Sequence, residues 1–321
     1  MTIELIEGMN STTYQTESIE REMHFFMDRY LPKRKPISLD DYDWSVIGNS
    51  FADVEFMEAV AFVTLVESNP EAPAQVLLAA SDRSNSSWLR RFINETWLQE
   101  ESMHAVPYKE YLIRTGSYSR TFIETEIKKV IDRGFIHGSG YTELQAATYG
   151  WLQELITWRF YETMREYLQN QQEAEEPSHK LLIQILDDIA KQENFHRHVY
   201  KTGIATILKY QPFRKSEVVK AATQFIMPGH HMAPEWQSKA PQWAIKFNFP
   251  LKKLIQDMTK GLVEFTGYRG LGQTSLLYGS HNKTFFPWHL RALISALKPV
   301  ANWSYNSPFN YITGRIIAKA F

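Results

Sequence analysis

The sequence predicts an all-α protein, a four-helix bundle carrying additional flanking helices. Three observations predict it. Apolar residues recur at helical spacing along one long segment after another, nothing between those segments alternates as a strand would, and two of the segments carry a Glu-x-x-His pair in mid-helix. On a helix that spacing puts carboxylate and imidazole on one face, one turn apart.

Taken in order, Ser18 to Tyr30 reads as a short helix, followed by the proline-flanked basic stretch Leu31-Pro-Lys-Arg-Lys-Pro36, read as a turn or arm. Helices follow at about 48–68, 72–82, 86–115, 118–133, 142–173, 178–209 and 214–226. Gly116, Gly134, Gly138, Gly140 and the run Met227-Pro-Gly-His-His-Met-Ala-Pro234 act as stops. Pro107 removes a helix hydrogen bond to the carbonyl of Met103 and is expected to kink its helix. Beyond about residue 240 the pattern weakens, and Phe285-Phe-Pro-Trp-His289 and Asn302-Trp-Ser-Tyr-Asn-Ser-Pro-Phe309 are aromatic and irregular. The expected organisation is a helical bundle with an N-terminal arm over residues 1–240, and a basic, aromatic-rich extension over 241–321 packed on the same domain.

Composition narrows the chemistry. With 44% hydrophobic residues in 321, the chain can bury a sizeable core. It shows no apolar run long enough to span a bilayer and no charged-then-apolar leader, so a soluble, cytoplasmic protein is expected. Having no cysteine excludes thiolate metal sites, iron–sulfur ligation by this chain and thiol catalysis. Carboxylate and imidazole are left to hold any metal. Residues 239–321 carry eleven Lys/Arg against two Asp/Glu, whereas residues 1–238 carry twenty-four against thirty-four. That asymmetry suits an acidic docking partner, and equally a merely solvated surface. No nucleic-acid module and no Gly-x-Gly-x-x-Gly nucleotide fingerprint is present.

With 26 Glu and 10 His, chance supplies roughly one Glu-x-x-His. There are three: Glu101 to His104, Glu193 to His196, and Glu176-Pro-Ser-His179, which lies in an acidic, proline-broken stretch read as a loop. Leu182, Leu186, Ile189, Glu193, His196, Tyr200 and Ile204 fall on one helical stripe, so Glu193 is expected to be buried. A lone carboxylate there costs several kcal/mol or loses its charge, and a bound cation resolves the conflict. Glu154, among Trp151, Ile156, Thr157 and Trp158, invites the same argument. His230-His231 has no ligand-spaced acids around it and is read as a loop near a channel mouth rather than a second metal site.

Four motifs in register then extend the pattern: Trp97-Leu-Gln-Glu-Glu-Ser-Met-His104, Gln153-Glu-Leu-Ile-Thr157, Gln192-Glu-Asn-Phe-His196, and Phe225-Ile-Met-Pro-Gly229 with Pro234-Glu235. In these the chain resembles the soluble acyl-acyl carrier protein desaturases, a family of ferritin-like, homodimeric di-iron enzymes. The resemblance implies one iron held by Glu67 and His104, another by Glu154 and His196, with Glu101 and Glu193 bridging. Four carboxylates and two divalent ions cancel in charge, which suits an apolar bundle. For the fourth metal-ligand carboxylate Glu67 is chosen because Val66-Glu-Ser-Asn-Pro70 is similar to the family's Glu-x-x-x-Pro, with the proline one residue early; Glu55 and Glu58 are the competing choices. Thr157 matches a family threonine placed beside the oxygen site, the competing reading being a threonine bonded back to its own helix. Gln192 departs from the family, which has an aspartate there, so any support routed through that acid is altered. Phe265-Thr-Gly-Tyr-Arg-Gly-Leu-Gly272 is a faint echo of the family beyond residue 240.

The resemblance implies an O2-dependent di-iron desaturase acting on an acyl chain carried as a thioester on an acyl carrier protein. Electrons would come from an external donor such as ferredoxin, and the chain would be a homodimer. Basic surface at Lys33-Arg-Lys35 or in the C-terminal part would receive the acidic carrier. Two further readings keep the same fold: a di-iron oxygenase performing hydroxylation or N-oxygenation on a carrier-bound metabolite, and a non-catalytic ferritin-like metal-binding protein.

Overall fold

A computed structural model describes residues 2–48, 53–136 and 140–267, and every regular element among them is helical. The long helices are α1 (Thr2–Tyr30), α2 (Val54–Val66), α3 (Glu71–Ser84), α4 (Ser87–Phe92), α5 (Leu98–Arg114), α6 (Arg120–Arg133), α7 (Glu143–Gln169), α8 (Pro177–Tyr210) and α9 (Lys215–Thr223), followed by α10 (Gly229–Met232), α11 (Pro234–Gln237), α12 (Ala240–Lys246) and α13 (Leu251–Thr266). The architecture is all-α and ferritin-like: α2, α5, α7 and α8 form the bundle, with the remaining helices packed around it. No described helix is long and apolar enough to cross a membrane.

Local chemistry sets the boundaries. Asp53, Ser119 and Thr142 each accept a hydrogen bond from the backbone N–H three residues on, capping α2, α6 and α7. Gly134, at φ +70°, ends α6 in the left-handed half of backbone space that a glycine enters without strain. Pro177 occupies the first turn of α8, where its missing N–H costs nothing, so the third Glu-x-x-His straddles a helix start rather than lying in a loop. The early proline at 70 closes α2 and opens α3 within a few residues, which leaves Glu67 as the cap residue of α2.

Three features escaped the periodicity. Helix α1 begins well before Ser18. Between α4 and α5 the chain makes one wide turn, Ile93–Trp97, in which the N–H of Leu98 bonds to the carbonyl of Ile93 five residues back. Helix α5 runs through Pro107 to Arg114. Helix α13 was not read as regular because lysines and Gly261 dilute its pattern, yet Leu254, Met258, Leu262 and Phe265 are all buried. Gly261 is required there, since a Cβ at that position would run into the indole of Trp151. Gly138, Gly272 and the aromatic runs after residue 280 lie outside the described residues.

Two apolar cores flank the middle of the bundle. One gathers Trp88, Trp97, Trp151, Tyr149 and Tyr200 between α1, α4, α7, α8 and α13. The other gathers Phe56, Tyr108, Tyr161, Met164, Leu182 and Ile185 between α2, α5, α7 and α8. Helices α7 and α8 pack along most of their length, and Gly150 lets the Tyr200 ring approach the α7 backbone, where a Cβ would sit 2.5 Å from it. The seven stripe residues of α8 from Leu182 to Ile204 are all buried, Glu193 and His196 among them. Polar groups therefore sit in the seam between two greasy cores, and their satisfaction is the central question of the fold.

Candidate metal centre

Helix α5 supplies Glu101 and His104, α8 supplies Glu193 and His196, α7 supplies Glu154 from its middle, and Glu67 comes from the last turn of α2. They form two interlocking groups, Glu67–Glu101–His104–Glu193 and Glu101–Glu154–Glu193–His196, in each of which the ligand atoms all lie within 4.8 Å of one another. Glu101 and Glu193 belong to both. His104 Nδ1 stands 3.2 Å from Glu193 Oε1, 3.5 Å from Glu101 Oε2 and 4.0 Å from Glu67 Oε2. On the other side His196 Nδ1 is 2.9 Å from Glu101 Oε1. All six side chains named from the sequence thus meet at one place. Glu55 and Glu58 do not: they pair with Lys246 and Lys239 near the surface. His179, His230 and His231 belong to neither group.

The outward atoms are held by a second set of residues, to none of which the sequence assigned that role. His196 Nε2 lies 2.9 Å from Glu100 Oε2, and Glu100 is gripped by both arms of the Arg34 guanidinium at 2.9 and 2.7 Å. His104 Nε2 lies 2.9 Å from the Gln192 side-chain oxygen, whose amide nitrogen donates to the Lys35 carbonyl at 3.0 Å. Trp97 Nε1 donates to Glu154 Oε1 at 3.0 Å, and the Tyr161 hydroxyl donates to Glu67 Oε1 at 2.5 Å. The signal for Glu100 was present in the doubled acid of the Glu100-Glu101 motif. For Tyr161 and Arg34 there was none, since both reach the site only through tertiary approach. Arg34 is consequently committed inward and does not belong to the basic docking surface expected at residues 33–35; Lys35 remains outward, its ammonium 3.2 Å from Asp41.

Electrostatics leave the inner atoms unresolved. Nδ1 of both histidines, both oxygens of Glu193 and Oε1 of Glu101 are buried, yet none takes part in a hydrogen bond of acceptable geometry among the described residues. Burial, then the charge of Glu101, pushes the Glu67 carboxyl up to about 8. Burial and the neighbouring Glu154 and Glu101 push Glu193 well above the carboxylate range. Burial also raises Glu154. Glu101 is the exception: burial opposes its charge, but His104 and His196 outweigh it and hold the group at about 2. For His196 burial favours the neutral ring, but the Glu100 carboxylate that accepts from Nε2 and the negative charge of Glu101 beside Nδ1 override this and carry it up to about 10. A protein-only cluster of four acids can therefore persist only by holding protons. Oxygen and nitrogen donors without sulfur, four negative charges when ionised and inward lone pairs with no donor fit a pair of divalent cations.

A crevice leads from the surface to this cluster. Its lining brings the apolar side chains of Val66, Pro70, Pro73, Phe135, Met227, Pro228 and Met232 together with Glu67, Glu101, Trp97 and Thr157. Thr157 also donates its hydroxyl hydrogen to the Gln153 carbonyl at 3.0 Å, the back-bonded state weighed in the sequence. His231 Nε2 accepts the Ile136 N–H at 2.9 Å, and its ring lies 5.9 Å from that of Phe135, one of the residues lining the crevice.

A crevice ending on paired Glu-x-x-His turns is matched by what the chain resembles. The family model described as fatty acid desaturase matches residues 73–245, and the chain belongs to that family. It is 20% identical over 239 residues, 69% of this chain and 68% of the relative, to the protein named "Putative acyl-[acyl-carrier-protein] desaturase DesA1" in two strains of Mycobacterium tuberculosis, CDC 1551 / Oshkosh and ATCC 25618 / H37Rv. The protein is thus a desaturase-type oxidoreductase with a buried Glu/His cluster able to bind metal.

Proposed function

We propose that this chain is an O2-dependent di-iron desaturase that introduces a double bond into an acyl chain delivered as a thioester on an acyl carrier protein. The observation that carries the proposal is the pair of four-residue groups sharing Glu101 and Glu193. In this reading Glu67 and His104 would hold one iron and Glu154 and His196 the other, with Glu101 and Glu193, which belong to both groups, available to both. Two irons so held supply the redox chemistry with dioxygen that removing hydrogens from an unactivated chain demands. An external ferredoxin-like donor provides the electrons, since the chain has no cysteine to hold a cluster of its own.

The protein's own contribution is position and dryness. The methionine- and proline-lined crevice offers an apolar surface beside Glu67, Glu101 and Thr157, and a saturated chain would have to widen it to enter. Trp97 and Tyr161 fix the two terminal carboxylates from opposite cores. Thr157 can pass a proton to the site only if its hydroxyl turns out of the bond to Gln153, a single χ1 rotation. Carrier docking falls to basic residues nearer the C-terminus, such as Lys252 and Lys253, and the active species is read as a cytoplasmic homodimer.

The test begins with iron quantification and the absorption spectrum of the oxidised protein, with two iron ions per chain expected. The reduced protein is then mixed with an acyl-carrier thioester and dioxygen, and the product weighed. Loss of two hydrogens supports desaturation, gain of an oxygen atom selects the oxygenase reading, and metal uptake with no substrate-linked oxygen consumption removes the enzyme.

A further inference from the structure

The sequence leaves Gln192 as an unexplained departure and Arg34 as one of several surface-type cations. In the fold they are ends of one device. Arg34 and Lys35 are adjacent in a stretch bracketed by prolines, Pro32 in a 3₁₀ turn and Pro36 immediately after Lys35. A residue before proline is confined to extended backbone, which fixes where the Lys35 carbonyl points. The Arg34 guanidinium forks onto Glu100 and lies 4.4 Å over the ring of Phe195, the residue preceding His196. Glu100 is 1% exposed and reaches His196; Gln192, 6% exposed, reaches His104.

The Gln192 amide can be oriented only one way. The Lys35 carbonyl is an acceptor and demands the NH2 group, so the amide oxygen faces His104 Nε2, which must then carry a hydrogen. That leaves the His104 Nδ1 lone pair turned toward Glu67, Glu101 and Glu193. Glu100, an acceptor, imposes the same choice on His196. A carboxylate at position 192 would set a second acceptor against the Lys35 carbonyl. The amide is therefore the side chain that spans an N-terminal backbone oxygen and a ring N–H at once.

We propose that Arg34 and Lys35 form a strap that positions both histidines of the centre, an ionic arm running through Glu100 to His196 and a neutral arm running through Gln192 to His104. This rests on the reading of the cluster as a two-metal centre. Each arm fixes ring orientation and tautomer, so each sets the affinity of one half of the centre. Arg34, Glu100 and Gln192 are positioning residues and touch no reacting atom.

The test is an anaerobic titration of the metal-free full-length chain with Co2+, followed by visible absorption, in the wild type and in Arg34→Lys and Gln192→Glu. The thermal midpoint of each metal-free protein is measured alongside. Arg34→Lys keeps the charge and loses the fork; Gln192→Glu keeps an acceptor for His104 and loses the donor to Lys35. The wild type is expected to bind two ions. Each variant is expected to weaken one binding step by about 10- to 100-fold, the usual effect of removing an outer partner of a ligating histidine, and to spare the other step. The double variant weakens both. Two wild-type-like steps in both variants would overturn the strap while leaving the two-metal reading intact, as would equal loss of both steps in each single variant. A wild-type chain that binds no pair of ions would overturn the two-metal reading and the strap with it.

Discussion

The two halves of the centre repeat one motif with different supports. Around His196 the acids are anchored in mid-helix: Glu154 lies deep in α7 under the Trp97 indole, and the imidazole leans on a carboxylate that is itself locked by an arginine. Around His104 the support is softer. Glu67 sits at the end of α2 beside the crevice, and the imidazole leans on a neutral amide. A charge-assisted network in a low-dielectric interior resists displacement more than a neutral one, so the His196 half is the rigid one. Identical ligand spacing thus does not mean equivalent sites; equivalence is decided by the residues one step further out.

The largest test of this comparison removes what both halves share. Glu193→Gln should reduce metal content from two ions per chain to one or none and abolish turnover, read by elemental analysis and oxygen uptake. Glu58→Gln, an acid from the same sequence neighbourhood as Glu67 but paired with Lys239, should leave both unchanged. Equal metal loss in the two variants would mean that the cluster is not the metal site. Next in size come the terminal acids. Glu154→Gln should lower loading more than Glu67→Gln, because a helix-end side chain at the crevice can be replaced by solvent and a mid-helix one cannot. The reverse order would assign rigidity to the wrong half.

How much of this was legible depends on whether a residue acts through its own helix. The α8 stripe from Leu182 to Ile204 was readable because one helix face carries it, and so was the pairing of Glu101 with His104. The identity of Glu67 rested on the nearby Pro70, which controls where α2 ends. What could not be read comes from elsewhere in the chain: Arg34 is 66 residues from Glu100 in sequence, and Tyr161 is 94 from Glu67. Nor does any local pattern announce the wide turn at Ile93–Trp97, which differs from an α turn by one residue and takes the helix into Trp97 and the Glu100-Glu101 pair. Helix α13 was obscured for the opposite reason, its Gly261 being a response to Trp151 and not a local stop.

Smaller effects belong to the two donors. Trp97→Phe and Tyr161→Phe each remove a hydrogen bond to a buried carboxylate, worth roughly 1.5–3 kcal/mol where the acceptor is charged. If Glu154 is the more rigid acid, Trp97→Phe should destabilise the loaded protein more in chemical denaturation than Tyr161→Phe, since Glu67, the acceptor of the Tyr161 bond, lines the crevice and can be hydrated there, whereas Glu154 is buried. Equal losses would erase the distinction between the halves at this level.

The last test uses pH on the metal-free chain. Glu67 titrates at about 8 in the fold, against an ordinary value of 4.5, and His196 at about 10, against 6.5. Both bind protons more tightly folded than unfolded, so the folded state holds the extra proton between those limits and stability falls as pH rises through them. The Glu67 contribution is complete below about 4.5 and gone above about 8; that of His196 is complete below about 6.5 and lost through about 10. Glu101, held at about 2, acts in the opposite sense, and its share disappears only as pH falls from about 4.5 to about 2. The thermal midpoint of the metal-free protein should therefore decline from pH 6 to 9, and divalent metal, by displacing those protons, should raise it by an amount that grows over the same range. Glu67→Gln removes the group that titrates at about 8 and should flatten the decline below that pH, leaving the part that His196 and the other raised groups, Glu154, Glu193 and His104, govern. A midpoint that climbs between pH 6 and 9 without metal would show that the cluster carries no trapped protons, and the contrast between its halves would lose its electrostatic basis.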